Sequence, residues 1–237
     1  MQGMNISCSI LLLLVIVVIV AYGIYIDNKK RKYEREVIRR NIPYDIRYPT
    51  LVYLYEILAD FSSLHNIKPF LIDGTLLGKH REDDIITQDY DVDIGILKED
   101  FDVLYNNIGE YIQDLENIQV IYFPKKKLQI METITGLTMD IFVFGISNDH
   151  KTIKRIKYPN WYAYIFTNQC MNNFPIDWVL PLKPTTFLGK PVYIPNQTDV
   201  FLKCFYGEDY MTPDFHCDQD GNNCVKNKKY EHLMQNL

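Results

Sequence analysis

Apolar residues are distributed along this chain in three distinct rhythms, and each predicts a different kind of element. From Ile10 to Ile26 (ILLLLVIVVIVAYGIYI) there is no alternation at all: the residues are apolar on every side. Extended back through the uncharged Asn5–Ser9, the run is about 20 residues, the length expected of a helix that crosses a bilayer. A buried core helix should instead be amphipathic, and a cleaved signal peptide should carry a basic leader that is missing here. The expectation is therefore one N-terminal transmembrane helix, with cleavage after the Ala21-x-Gly23 pattern as the rival.

The second rhythm is helical. Leu51, Leu54, Leu58 and Phe61 recur at helical spacing and predict a helix over Tyr48–His65. Phe101, Leu104, Tyr105, Ile108, Ile112 and Leu115 mark another. Gly74–Lys79 reads as the opening turn of a helix broken by the charged loop His80–Asp89, and Thr198 or Asp199 can cap a last helix through Phe205, closed by Gly207. The third rhythm has period two or is β-rich, and predicts strands at Pro69–Asp73, Asp91–Leu97, Ile118–Phe123, Lys127–Glu132 and Thr138–Phe144. The Pro- and aromatic-rich stretch Trp161–Pro195 reads as irregular with short strands. The fold class is α+β, a mixed sheet with flanking helices preceded by the transmembrane helix. The division expected is 1–26 anchor, 27–47 basic linker and 48–237 catalytic domain.

Charge changes this picture in one respect. The whole chain of 237 residues carries a net −5, but residues 1–26 have no charged side chain. Residues 27–40 hold seven Lys/Arg against three Asp/Glu, a net +4, which leaves −9 on residues 41–237. An acidic globular part without a basic, aromatic-interleaved stripe repels phosphate backbones, so nucleic acid is excluded as a partner. The basic collar after the apolar run points to a membrane partner, with the side of the membrane left open between a cytosolic and a Golgi or ER luminal domain. Asn5 and Asn196 are N-x-Ser/Thr acceptors whose use would mark a luminal domain. Cys170, Cys204, Cys217 and Cys224 allow two disulfides, or a zinc site that includes Cys217, Cys224 and His216.

The densest chemistry lies between Glu82 and Asp93, where EDDIITQDYDVD packs six acids into twelve residues. Glu82, Asp83 and Asp84 read as a solvated loop. Asp91 and Asp93 do not: they sit at i and i+2 in an otherwise apolar strand, so both carboxylates leave one face, about 7 Å apart at Cα. That spacing suits a hard divalent cation, Mg2+ or Mn2+. Asp140, between Met139 and Ile141, repeats the logic on a later strand. Asp73-Gly74-Thr75 stands at a strand-to-helix junction, where a Gly and a helix N-terminus favour an anion such as phosphate.

Residues 71–96, LIDGTLLGKHREDDIITQDYDVDIGI, resemble the signature of the LicD/fukutin family of the nucleotidyltransferase superfamily: Gly-Thr-Leu-Leu-Gly, an Arg, then Asp-x-Asp-x-Asp-Ile-Gly. A second block, PLKPTTFLGKPVYIPNQTDVFLKCFYGEDYMTP (181–213), is similar to the family's C-terminal pattern. Thr87-Gln88 stand where the family has Pro-Trp. The resemblance implies a nucleotidyltransferase-like fold and transfer of a substituted phosphate, of the ribitol-phosphate or phosphocholine type, from a CDP-activated donor to a glycan or glycoprotein hydroxyl. It implies Asp91, Asp93 and Asp140 as catalytic, with Asp89 joining them as metal ligands, and Gly74, Thr75 and Arg81 as substrate-binding. Arg81 is open between a phosphate and the Glu82–Asp84 acids, Lys125–Lys127 between donor phosphates and a solvated turn, and Tyr206 and Gly207 read as shaping the fold. The rival functions are an Asp-x-Asp nucleotide-sugar glycosyltransferase and an inactive scaffold of the same fold.

Overall fold

The computed structural model describes residues 8–123, 127–156, 173–213, 215–216 and 225–226, and the chain divides into two compact units, Met1–Asn41 and Ile42–Leu237. In the first, helix α1 (Cys8–Arg40) runs unbroken from the apolar residues into the charged collar. Among the described residues no helix is long and apolar enough to cross a membrane. This corrects the expected transmembrane helix, and with it the single-pass membrane protein of the Golgi or ER. The apolar run and the collar form one continuous helix.

The second unit is α+β, as its periodicities indicate. Its elements are α2 (Tyr44–His65), β1 (Phe70–Leu71), α3 (Asp73–Glu82), β2 (Asp91–Leu97), α4 (Lys98–Tyr111), β3 (Ile118–Phe123), β4 (Lys127–Glu132), β5 (Thr138–Ile146) and β6 (Thr152–Arg155). They are followed by β7 (Asn173–Pro175), α5 (Ile176–Val179), β8 (Lys183–Phe187), β9 (Lys190–Ile194) and α6 (Thr198–Tyr206), then the short pair β10 (Phe215–His216) and β11 (Val225–Lys226). Nine strands form one mixed sheet along the path β3-β4-β5-β2-β1-β9-β8, with β6 on β5 and β7 on β6. β2 and β5 are parallel, as are β1 and β9, and the remaining pairs are antiparallel.

Alternation assigns the faces. Val92, Ile94 and Ile96 stand in register with Met139, Ile141 and Val143, and Leu128 and Ile130 join them from β4; all are buried. Tyr122, opposite Leu128, meets Tyr105 of α4 edge to face at 4.9 Å, which puts α4 over this face. Phe61 of α2 packs edge-on to Tyr111 of α4 at 5.3 Å, so the two helices lie side by side. The opposite face is divided along its length. At one end it carries Asp91, Asp93 and Asp140; at the other, Phe144 packs with Phe70 and Phe174, and Phe174 with Phe201 of α6. Gly95 makes that apolar end possible, because a Cβ there would come within 2.5 Å of the Phe70 ring.

Helix boundaries depart from the periodic reading where local chemistry intervenes. α2 starts at Tyr44 rather than Tyr48 and continues through Pro49. The residue before α6 is Gln197, not Thr198 or Asp199: the Thr198 hydroxyl donates to the Pro195 carbonyl at 2.8 Å, and Asp199 accepts from Tyr210 instead of capping. Gly207 closes α6 with a positive φ of 88°, as expected. The segment 157–172, with Cys170, and Cys217 and Cys224 lie outside the described residues. Cys204 is disulfide-bonded, which removes it from any zinc site.

Candidate active site

Three strand ends meet at the acidic end of the sheet. β2 and β5 run parallel with Asp93 opposite Asp140 and Asp91 opposite Thr138, so period two sends all three carboxylates out of one face. A carboxylate oxygen from each of Asp91, Asp93 and Asp140 lies within 4.8 Å of the others. β1 runs antiparallel to β2, so its C-terminal end arrives beside the start of β2, where the Ile72 amide donates to the Asp93 carbonyl. Asp73, the next residue, has left-handed backbone (φ 47°), and this turns the chain from β1 into α3.

The electrostatics of this cluster are adverse without a cation. Burial holds the Asp93 carboxyl well above the ordinary carboxylate range, and the charges of Asp91, Asp73 and Asp140 push it further the same way, with only Arg155 opposing. Two cations are fixed at the margins. Arg155, at the end of β6, is buried and donates to both oxygens of Asp73 at 2.7 and 2.8 Å. Lys127 Nζ lies 2.5 Å from Asp140 Oδ2, and Gln129 Nε2 donates to Asp140 Oδ1 at 2.5 Å. Three oxygen-donor carboxylates converging on one point suit a hard divalent ion by both donor type and span.

The other expected residues are dispersed around this cluster. Thr75 is buried, and its hydroxyl accepts the Asp93 backbone amide at 2.8 Å, so it fastens the start of α3 to the acid-bearing strand. Gly74 is a close-approach position: a Cβ would meet the Asp89 carboxylate at 2.8 Å. Asp89 thus sits over the first turn of α3, outside the three-carboxylate group. Arg81 lies at the far end of α3, roughly 9 Å along the helix from Thr75. Its guanidinium donates to the carbonyls of Tyr210 and Thr212, tying α3 to the 210–213 segment rather than to the neighbouring acids.

Two of the loop acids have partners of their own. Asp83 pairs with Lys79, while Asp84 accepts the Tyr48 hydroxyl at 3.0 Å and the Ile85 amide at 2.7 Å. Buried Arg47 donates to the Thr87 carbonyl at 2.6 Å and to that of Ile42 at 2.9 Å, which pins the loop leading into Asp89.

Sequence reasoning passed over four participants. Asp73 is flanked by the Gly-Thr turn that drew attention instead, and Arg155 stands 82 positions from its partner in a stretch with no distinguishing pattern. Gln129 is an ordinary strand polar residue until the β4–β5 register sets it opposite Asp140. Tyr206 read as a fold residue; it is 41% exposed, yet desolvation of its hydroxyl raises the pKa, and the charges of Asp73, Asp93 and Asp89 raise it further. It is therefore within electrostatic reach of the acids.

Comparison with known proteins adds one finding. The family model described as LicD/FKTN/FKRP, nucleotidyltransferase domain, matches residues 66–197, more than half of the chain and all of the strands that bear the three carboxylates. No curated protein matches the chain significantly.

Proposed function

This chain belongs to the LicD/FKTN/FKRP family, which makes it a transferase in general terms, and from that premise we propose a metal-dependent phosphotransferase. The donor would be CDP-activated, the group moved a substituted phosphate of the ribitol-phosphate or phosphocholine type, and the acceptor a glycan or glycoprotein hydroxyl. The observation that carries the reading is the convergence of Asp91, Asp93 and Asp140 within 4.8 Å on one sheet face.

Asp91, Asp93 and Asp140 would hold Mg2+ or Mn2+, and such an ion would supply charge neutralisation for the donor phosphates and for the charge that develops during transfer. The protein's own part is positioning and proton handling. Thr75 and the β1–β2 register fix Asp93, Gln129 and Lys127 fix Asp140, and Arg155 holds Asp73 beside them. Gly74, in the first turn of the 10-residue α3, lets a substrate phosphate approach a helix N-terminus on a side shared with the Asp89 carboxylate. The acceptor hydroxyl oxygen forms the new bond to phosphorus, the bond from phosphorus to the CMP oxygen breaks, CMP leaves, and a carboxylate of the cluster takes the hydroxyl proton. Arg81, bonded to two backbone carbonyls, acts in this scheme by holding the 210–213 segment against α3.

The test is to incubate the full chain and Mg2+ with CDP-ribitol, CDP-choline and UDP-sugars beside a glycan acceptor. The reading predicts CMP release that stops with chelator. Release of UMP or UDP without CMP would contradict it and favour a nucleotide-sugar glycosyltransferase.

A further inference from the structure

Two helices that touch, α3 and α6, bring to the acids a side chain that the proposed reaction leaves unused. Asp199, in the first turn of α6, accepts the Tyr210 hydroxyl at 2.5 Å, and that hydroxyl meets His80 Nε2 of α3 at 3.0 Å. Seven residues on from Asp199 is Tyr206, the last residue of α6; seven residues back from His80 is Asp73, the first of α3. Seven residues make nearly two turns, so each pair shares a helix face and spans about 10.5 Å. The charges that act on the Tyr206 hydroxyl are those of Asp73, Asp93 and Asp89, with Arg155 opposing, so the two helices run antiparallel. Tied at one end, they stand level at the other, and Tyr206 comes beside the first turn of α3.

The chain on both sides of Tyr206 is held. Before it, Phe201 and Phe205 pack on Phe174 at 4.8 and 5.7 Å, and the Phe205 ring lies 6.2 Å from that of Tyr206. After it, Gly207 turns the chain at φ 88° into the segment whose Tyr210 and Thr212 carbonyls Arg81 holds. Tyr206 is 41% exposed, whereas its hydroxyl is desolvated, so the ring forms an open edge and the hydroxyl faces inward. Among the described residues that hydroxyl has no hydrogen-bond partner: the nearby carboxylates act on it through charge alone. Burial and those charges keep it protonated well above neutral pH, so it can give a hydrogen bond and cannot serve as a base.

We propose that Tyr206 is a donor-phosphate contact: its hydroxyl donates a hydrogen bond to a phosphate oxygen of the CDP-activated donor as that group enters between the first turn of α3 and Asp93. A neutral donor with no acceptor of its own suits this place, because a phosphate oxygen supplies the missing acceptor and the bond to it is charge-assisted. The proposal rests on the reading of the site as a CDP-dependent phosphotransferase, and adds to it a residue that recognises the phosphate.

Isothermal titration of the full chain with CDP-choline and CDP-ribitol in Mg2+ tests it, on wild type, Tyr206→Phe and Tyr206→Leu. Both variants should bind the preferred CDP compound at least about tenfold more weakly, the loss expected when a hydrogen bond to a charged acceptor is removed. Cytidine, which has no phosphate, should bind wild type and Tyr206→Phe equally, or neither. Since the hydroxyl bonds nothing in the free chain, Tyr206→Phe should also keep the wild-type thermal midpoint, followed by circular dichroism. Unchanged affinity in Tyr206→Phe would overturn the proposal, and if Tyr206→Leu alone were weakened the ring and not the hydroxyl would be the contact. Equal weakening toward cytidine, or a Tyr206→Phe chain with a lowered midpoint or no fold, would overturn it as well, making the hydroxyl a structural group. A wild-type chain that binds neither CDP compound would remove the phosphotransferase reading and this inference with it; wild-type binding that Tyr206→Phe retains removes only the inference.

Discussion

Two acidic regions lie within a dozen residues of each other, and the fold treats them in opposite ways. Glu82, Asp83 and Asp84 end α3 and begin a loop, where Lys79 answers Asp83, and the Tyr48 hydroxyl and a backbone amide answer Asp84. Asp91 and Asp93 begin a strand, and their nearest charged company includes two more carboxylates, Asp73 and Asp140. The loop is if anything the denser in acid; what differs is how the backbone spaces the charges. A strand in a sheet projects its carboxylates side by side at fixed spacing, which a loop does not. This comparison separates an acidic surface from a candidate centre more sharply than charge counting does.

The largest stability effect should come from the margin of the strand region. Arg155→Met leaves Asp73 partly buried and stripped of a two-oxygen hydrogen-bonded partner, and should lower stability by about 3–5 kcal/mol, read as the midpoint of thermal or urea unfolding. A loss below about 1 kcal/mol would show that Asp73 finds another partner, and would weaken the claim that charge here is tightly balanced.

Asp93→Asn acts in the reverse direction and more weakly. The folded carboxyl titrates above its unfolded value, so in chelator the folded state of the wild type binds more protons than the unfolded state once pH exceeds about 3.9. Stability therefore falls as pH rises through that raised pKa, and the penalty is fully present above it. The Asn variant lacks this loss, and at neutral pH in chelator it should be more stable than wild type by about 1 kcal/mol. Asp83→Asn is the control from the loop, where an exposed pair is worth within ~0.5 kcal/mol. Equal and small shifts in both variants would erase the distinction between the two regions.

How much of this was legible from the residues depends on the range of the interaction that decides each feature. β2, β3 and β4 fall where alternation places them, because a strand with one buried face has no other register that buries the same side chains. β1 is only Phe70–Leu71, shorter than its apolar run, since the left-handed turn at Asp73 takes the chain into α3. The three carboxylates were readable one strand at a time, as polar residues in apolar runs. Their cations were not, because Lys127 and Arg155 reach Asp140 and Asp73 only through pairings of β4 and β6 with β5. The apolar run at the N-terminus was legible as a helix but misleading as a span: among the described residues no helix is long and apolar enough to cross a membrane.

The account stands or falls on whether the strand acids, and not the loop acids, form one cation-dependent centre. Mn2+ binding to full-length wild type, Asp91→Ala and Asp83→Asn, measured side by side at one pH, addresses this most directly. The account predicts saturable binding to wild type and Asp83→Asn with affinities within about twofold, and at least a hundredfold weaker binding to Asp91→Ala, the loss expected when one of three ligands to a hard ion is removed. Unchanged binding in Asp91→Ala, or a loss in Asp83→Asn of the same size, would contradict it.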